Sequence, residues 1–324
     1  MKAIRYAAYG PPDTVIELRE VDPPAVGDDD VLVRVRAAAV NPGDWHYVRG
    51  LPYVMRAVSG LRRPRFGGLG MDLAGQVEAT GRNVTRLKIG DEVFGHCQGA
   101  FAEYVAVPQD KALLAKPAGT TYEQAAAVPS AALTAYEALA TRGEVKPGQK
   151  VLVIGAAGGV GTFAVQIAKA LGAEVTGVCS GGKAELVASL GADEIIDYTR
   201  QDFAHHTGRY DLILDNIGDR RLSDCLRVLT RTGTYIPNSG SGGGAFLGPS
   251  GRILRVLAAK PFVRQRLVNF VTAEDRDALA AVRGLVEAGE VVPVVSRTYR
   301  LDEVPQAIAH VEQGHATGKV VVTL

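Results

Sequence analysis

The stretch KVLVIGAAGGVGTFAVQIAKALGAEVTGVCSGGK, from Lys150 to Lys183, constrains the fold more than any other part of this 324-residue chain. Val151 to Ile154 is an uncharged apolar run, as a strand buried on both faces of a parallel sheet requires. Gly155 to Gly161 follow at once. Phe163, Ile167, Ala168 and Leu171 then recur at helical spacing, and Gly172 stops the helix. Glu174 to Val178 reads as a second strand. Strand, Gly-rich turn, helix and strand within about 30 residues make one βαβ unit, whose crossover is right-handed.

The turn has a chemical rationale. Ala156, Gly158 and Gly161 fill the three small positions of a dinucleotide-binding fingerprint, with Ala in the first. Gly158 lets the backbone approach a pyrophosphate, and Gly161 lets the helix lie close to the strand. The helix N-terminus offers N–H groups and a partial positive charge to the phosphates. An enzyme for NADH usually places Asp or Glu about 20 residues past the glycines, on the ribose 2′-OH. Val175 to Ala184 holds no acid and instead offers Cys179, Ser180, Gly181, Gly182 and Lys183. A hydroxyl and a cation suit a 2′-phosphate, so the expected cofactor is NADPH (NADP+), with Ser180 and Lys183 in contact. The alternative is that Lys183 is a solvated residue of the next helix.

Length suits two domains rather than one core. A net charge of +1 gives the chain no electrostatic reason to seek nucleic acid or an anionic membrane. Cys97, Cys179 and Cys225 are three in number and far apart, so they form neither a disulfide framework nor a zinc knot. They fit a reducing, cytoplasmic compartment. The opening MKAIRYAAYG lacks the apolar core of a signal peptide, and no run of about 18 apolar residues would span a membrane.

Residues 1 to about 121 read as mostly β, with strands over Lys2–Ala7, Val15–Glu20, Val31–Val40, Gly75–Thr80, Glu92–Gly95 and Phe101–Val107, the pattern of a compact barrel or sandwich. Thr121–Thr141 reads as helical, with Pro129 kinking or dividing it. Beyond the βαβ unit the rhythm continues. Helix Lys183–Leu190, strand Glu194–Asp197, strand Asp211–Asp215, helix Arg221–Leu229 and strand Gly233–Pro237 lead into a Gly/Ser loop. Gly251–Phe270 then reads as helix and strand. Helix Asp275–Ala288, an extended Val291–Tyr299, helix Glu303–Gln313 and strand Lys319–Thr323 close the chain.

Taken together, the segments resemble the medium-chain dehydrogenase/reductase superfamily, and within it the zinc-free quinone oxidoreductase branch. The markers run the length of the chain: Asn41-Pro42-Gly43-Asp44, Gly70-Met71-Asp72-Leu73-Ala74-Gly75, Gly90-Asp91-Glu92-Val93-Phe94-Gly95, Gly99-Ala100-Phe101-Ala102-Glu103-Tyr104, Ala132-Leu133-Thr134-Ala135-Tyr136, Ala157-Gly158-Gly159-Val160-Gly161 and Gly318-Lys319-Val320-Val321. The resemblance implies an α/β fold in which a Rossmann doubly wound parallel sheet (residues 122–272) is inserted in a GroES-like, β-rich catalytic domain (residues 1–121 plus 273–324). It implies an active site in the cleft and a homodimer. It further implies hydride transfer from NADPH to a quinone or an α,β-unsaturated carbonyl, a small-molecule substrate. A zinc-free carbonyl or alcohol dehydrogenase, and a low-turnover NADPH-binding redox sensor, are the alternatives.

Catalytic zinc takes three protein ligands and leaves one position open. Where the zinc-dependent branch has them, this chain reads Asn41, Met71-Asp72 and Ser130. Asp72 with His96 is a conceivable stray metal pair, and Cys97 a packed thiol. No metal is expected. Asn41 resembles the family asparagine facing the nicotinamide, with an amide able to donate to the substrate oxygen. Its other reading is a turn residue before Pro42. Asp44 either orients neighbours or caps a helix. His46 stands where the branch often carries Tyr and is a candidate donor, with Tyr47 and Tyr53 as substitutes and solvent as the remaining proton source.

For the cofactor, the resemblance implies contacts from Ala157, Gly158, Gly159 and Val160, from Thr134 near the pyrophosphate, from Tyr198 over the adenosine phosphate and from Lys319. Asn216, Asn238 and Ser239 follow strands at their carboxyl ends, where open α/β sheets bind ligands. Ordinary turn chemistry explains them equally. Trp45–Met71 and Cys225–Ala273 hold Arg and Lys but no acid. The first reads as a cover for the cleft. The second reads as surface charge neutralised by acids elsewhere, or as contact with an anionic substrate.

Overall fold

The computed structural model describes residues 1–65, 67–205, 209–238, 244–248 and 250–324. In chain order its strands are β1 (Lys2–Tyr6), β2 (Ile16–Glu20), β3 (Asp30–Val40), β4 (Asp72–Thr80), β5 (Glu92–His96), β6 (Tyr104–Pro108), β7 (Leu113–Ala115), β8 (Lys150–Ile154), β9 (Glu174–Cys179), β10 (Glu194–Asp197), β11 (Tyr210–Asp215), β12 (Leu229–Pro237), β13 (Arg266–Leu267), β14 (Val295–Arg300) and β15 (Lys319–Thr323). The chain divides into two compact units, residues 1–133 with 273–288 and 293–324, and residues 134–272 with 289–292. Residues 122–133 thus fold with the first unit and 289–292 with the second.

The first unit is built on a sheet in the order β14-β15-β3-β4-β5-β7, with β6 also paired to β3, and a β1-β2 hairpin beside it. β3 shows why. Val31, Val33 and Val35 are buried while Arg34 is exposed, the alternation of a strand with one wet face. From Ala37 to Val40 every residue is buried, because β4 and β15 flank the strand there and the helix Tyr122–Ala126 lies against it. Small alanines leave room for that helix. Pro129 divides the predicted Thr121–Thr141 helix: one helix ends at Ala126 and the next begins on Pro129 itself, where a missing N–H costs nothing. Glu137–Arg142 continues as a π-helical turn. The strand expected over Phe101–Val107 starts at Tyr104 instead. Phe101 is wholly buried, and its carbonyl accepts from the Ile4 N–H at 2.8 Å, which holds that segment to the β1-β2 hairpin. Likewise Pro12–Val15 is a helical turn, so β2 begins at Ile16.

The second unit is a six-stranded sheet in the order β10-β9-β8-β11-β12-β13, with every pairing parallel. The order reverses between β8 and β11, so the carboxyl ends at Ile154 and Asp215 mark the topological switch point. The helix Gly159–Ala170 is buried from Gly161 through Ala168, which explains its nearly charge-free sequence. Among the described residues, no helix is long and apolar enough to cross a membrane.

Candidate active site

In the first unit, the helix Pro42–Arg49 starts on Asn41 in extended conformation, with Pro42 as its first residue, and stops on Gly50 in the left-handed region (φ 59°). That geometry turns the helix start toward the ends of β4 and β15. Asp72 opens β4 opposite His96 at the end of β5, and Lys319 opens β15. Ser130 opens the helix that starts on Pro129.

These residues form one buried polar network. Asp72 is fully buried. Its carboxylate accepts from the Ser130 hydroxyl at 2.6 Å, the Ser130 N–H at 3.2 Å and the Asn41 amide at 2.9 Å. The Lys319 ammonium, 3 % exposed, donates to Asn41 Oδ1 at 2.5 Å and stands 3.9 Å from Asp72 Oδ2. Burial pushes the Lys319 ammonium below its ordinary value, with Asp72 and Asp44 opposing. The Asn41 amide is therefore spent on Asp72 and on the Ala39 carbonyl rather than pointing at open space. His96 completes the network, its Nε2 lying 2.9 Å from Ser130 Oγ and 3.2 Å from Asp72 Oδ1.

Asp44 is buried beside this network. Its two oxygens accept the N–H groups of Asn41, at 2.8 Å, and Gly70, at 3.1 Å. The carboxylate both reaches back to the helix start and anchors the Gly70 loop. Burial pushes its carboxyl up to about 7, Asp72 adds to the rise, and the two N–H donors and Lys319 oppose it. The folded chain thus keeps a proton that an unfolded chain releases near pH 4. The sign follows: the contribution is fully present below about pH 4 and is lost as pH rises to about 7. The stability difference between wild type and Asp44→Asn is expected to move against wild type by roughly 2–4 kcal/mol between pH 4.5 and 7.5. Urea unfolding of both proteins at the two pH values measures it, and a pH-independent difference would remove Asp44 as the source.

A cavity of about 460 Å³ in this unit is lined by Tyr6, Asp44, Tyr47, Met71 and His96 among others. His46 is not among its lining residues. Its Nδ1 lies 2.7 Å from the Leu51 carbonyl, its ring stacks on Trp45, and burial lowers its basicity. Tyr53 is exposed and stacks with Arg56, whose guanidinium also lies 4.4 Å from the Tyr9 ring. The Tyr9 hydroxyl donates to the Gly60 carbonyl at 2.6 Å. The basic Trp45–Met71 stretch is held to the first unit by these contacts.

In the second unit, the turn after β8 leads directly into the helix Gly159–Ala170. Gly155 adopts φ 76°, and Gly158 caps the helix Gly159–Ala170. A Cβ on Gly158 would meet nothing closer than 3.4 Å, whereas one on Gly161 would lie 2.0 Å from the Gly155 carbonyl oxygen. Ala157 is buried, while Gly158, Gly159 and Val160 are half-buried at the helix start. The switch point is braced by two amides. Asn216 Nδ2 donates to the Ile154 carbonyl at 3.1 Å, and Asn238 Nδ2 donates to Asn216 Oδ1 at 2.8 Å. Ser239 lies outside the described residues. Thr134 Oγ1 lies 2.9 Å from Thr272 Oγ1, and Tyr198 is exposed.

Ser180 precedes a 3₁₀ turn, Gly181–Lys183, that carries Lys183. Sequence reading finds no acid in this segment, yet pairing of β10 with β9 sets Asp197 opposite Cys179. Its carboxylate accepts from the Thr199 hydroxyl at 2.8 Å and N–H at 3.0 Å, and Arg200 lies 3.6 Å away. The bond from the Thr199 hydroxyl, chiefly, holds its carboxyl below the usual range. That acid is therefore held in its carboxylate form, with the exposed Arg200 as its ion-pair partner. A spacing rule counted along the chain does not reach it, because strand pairing supplies it from 16 residues beyond Gly181. Likewise three cations of the acid-free stretch meet acids outside it: Arg227 lies 3.2 Å from Asp224, Arg252 pairs with the buried Asp215, which also accepts from Tyr235, and Arg266 lies 3.4 Å from Glu144.

The donor set does not fit catalytic zinc. Among the described residues no three His, Cys, Asp or Glu side chains converge. Asp72, the nearest candidate ligand, is already surrounded by four donor groups and an ammonium.

Residues 27–118 match the model of the alcohol dehydrogenase GroES-like domain, and residues 190–322 that of the zinc-binding dehydrogenase family. The chain is 33% identical to the 2-methylene-furan-3-one reductase of Solanum lycopersicum, over 99% of this chain and 79% of that protein. It is 33% identical, with the same coverage, to the chloroplastic NADPH-dependent alkenal/one oxidoreductase of Arabidopsis thaliana. The quinone oxidoreductase from Coxiella burnetii superposes with a TM-score of 0.86 at 29% identity, covering 100% of this chain and 99% of that one.

Proposed function

The chain belongs to the medium-chain dehydrogenase/reductase superfamily, and on that premise we propose that it is a zinc-independent, NADPH-dependent reductase of quinones or α,β-unsaturated carbonyls. The observation that carries the reading is the Asn41–Asp72–Lys319 network, in which a buried ammonium and hydrogen-bond donors stand where zinc ligands are expected. Without a Lewis acid, the carbonyl chemistry open to the site is reduction of an acceptor whose negative charge hydrogen bonds alone can stabilise. An enone or a quinone is such an acceptor, since conjugation spreads the charge to an oxygen.

When bound, NADPH supplies a hydride. The chain's own residues do the rest. Gly158 and the start of the helix Gly159–Ala170 receive the pyrophosphate. Ser180 and Lys183 take the 2′-phosphate. Asp44 and Asn41 hold the helix start at the cavity edge, and Tyr47 lines the same cavity. Three free cysteines support a cytoplasmic location, and the homodimer is carried over from the family resemblance alone.

The test is NADPH oxidation, with NADH as control, against 1,4-benzoquinone, a 2-enal and a simple ketone, with and without a chelator. Turnover of quinone or enal that survives the chelator is the expected result. Ketone turnover lost to the chelator would overturn the zinc-free reading, and NADPH binding without any turnover would point to a sensor. In the same assay Lys183→Ala should raise KM for NADPH about tenfold, about 1.4 kcal/mol, and leave NADH unchanged.

A further inference from the structure

A second cavity of about 460 Å³ lies in the first unit, with Arg5, Arg65, Gly68, Gln98, Gly99 and Tyr104 among its lining residues. Gly68, Gln98 and Ala106 also line the cavity that Asp44 and Tyr47 line, so the two adjoin. Every lining residue of either belongs to the first unit. A cation stands at the junction. A Cβ built on Gly68 would lie 3.3 Å from Arg5 Nη1, which places that guanidinium against the shared wall.

The charge there is one-sided. Among the described residues, no Asp or Glu lines the second cavity. Arg5 is half-buried, and its guanidinium donates from Nη1 to the Ile4 carbonyl at 3.1 Å. Glu17, opposite Arg5 in the β1-β2 pairing, is bound by Arg19 Nε at 2.6 Å instead. Arg65 is exposed, and among the described residues no acid pairs with it. The neighbouring arginines differ. Arg49 grips Glu312 through Nε and Nη2 at 2.7 and 3.0 Å, and Arg56 is spent on the Gly50 carbonyl and on the faces of Tyr9 and Tyr53. A guanidinium held partly out of water, with Nε and Nη2 open, matches the fork of a carboxylate.

We propose that Arg5 and Arg65 form a carboxylate subsite, and that the acceptor is an α,β-unsaturated carbonyl compound with a carboxylate at the far end of an apolar chain. The subsite rests on the reductase reading for the acceptor's reactive end, and on first-unit residues alone for its tail. The chain lies along Val58, Leu69 and Met71 in the first cavity, crosses at Gly68, where no side chain stands in the way, and ends on Arg5 and Arg65.

The test compares 9-oxonon-7-enoate, a 2-enal ending in a carboxylate, with its methyl ester and with 2-nonenal. The wild type should take the carboxylate with a KM about tenfold below that of the ester, because a charge-assisted contact far from the reacting atoms adds uniform binding. Arg5→Gln should erase that advantage while kcat on all three stays within about twofold. Arg65→Ala, at an exposed position, should raise KM for the carboxylate about threefold, and it decides the matter if Arg5→Gln does not fold. Independently of turnover, nonanoate should shift the Arg5 Nε–H resonance of 15N-arginine-labelled protein, and acetate at the same concentration should not. Equal KM for the carboxylate and its ester in the wild type overturns the subsite and leaves the reductase reading standing. Equal losses on all three substrates in Arg5→Gln, no shift with nonanoate, or a shift as large with acetate overturns it as well. A wild-type protein that turns over none of the 2-enals and no 1,4-benzoquinone ends the reductase reading, and with it the acceptor this subsite serves.

Discussion

Asp72→Ala is expected to lower the stability of the folded chain by about 3–5 kcal/mol, the cost of leaving a buried charge without its counter-charge. Asp72 is fully buried, and the Lys319 ammonium beside it is 3 % exposed. Removing the carboxylate strands that ammonium with only Asn41 Oδ1 and the more distant Asp44 for compensation. It also removes the acceptor of one Asn41 N–H. A buried donor that loses its acceptor adds a desolvation penalty. The loss is specific to the broken pair. The double variant Asp72→Ala/Lys319→Met removes both charges and should recover at least half of it, because the attraction and the desolvation cost leave together. Urea unfolding of the single and double variants at pH 7 measures both figures. A single-variant loss under about 1 kcal/mol would mean that water reaches Lys319 and that the network is not a dry ion pair.

Two glycines three residues apart, Gly158 and Gly161, should separate folding from cofactor binding. A Cβ on Gly161 would sit 2.0 Å from the Gly155 carbonyl oxygen and 2.8 Å from Ala156, both backbone atoms that cannot move aside without parting the helix Gly159–Ala170 from β8. Gly161→Ala is expected to lower stability by about 3 kcal/mol or more, comparable to overpacking at a core position. NADPH binding should fall with it. Gly158→Ala meets nothing closer than 3.4 Å and should fold with a change under about 1 kcal/mol. Its methyl group would instead fill the space through which the pyrophosphate approaches, and NADPH affinity should drop at least tenfold. Thermal melts and NADPH titrations of the two variants form a two-by-two result. A Gly158→Ala protein that binds NADPH as the wild type does would move the pyrophosphate elsewhere on the turn.

The sequence by itself determined whatever depends on short-range spacing. The βαβ unit, the division at Pro129 and the strand Lys319–Thr323 were all legible, because period-2 and period-3.6 patterns and turn residues act within a few positions. The Gly-rich turn was legible as chemistry for the same reason. Only the tertiary structure decided which polar residues share a site. Asn41, Asp72, His96, Ser130 and Lys319 meet although up to 278 positions separate two bonded partners, Lys319 and Asn41. Nothing local marks them as a set, since each sits at the end of its own element and the ends are brought together by the antiparallel pairing of β3 with β4 and β15 and of β4 with β5. The same holds for Asp197, delivered to Gly181 across a strand pair, and for His46, which faces the Leu51 carbonyl instead of the cavity. Spacing along the chain dictates which elements form, and hydrogen bonds between strands far apart in sequence dictate which side chains are buried together, whose desolvation then sets their charges and their chemistry.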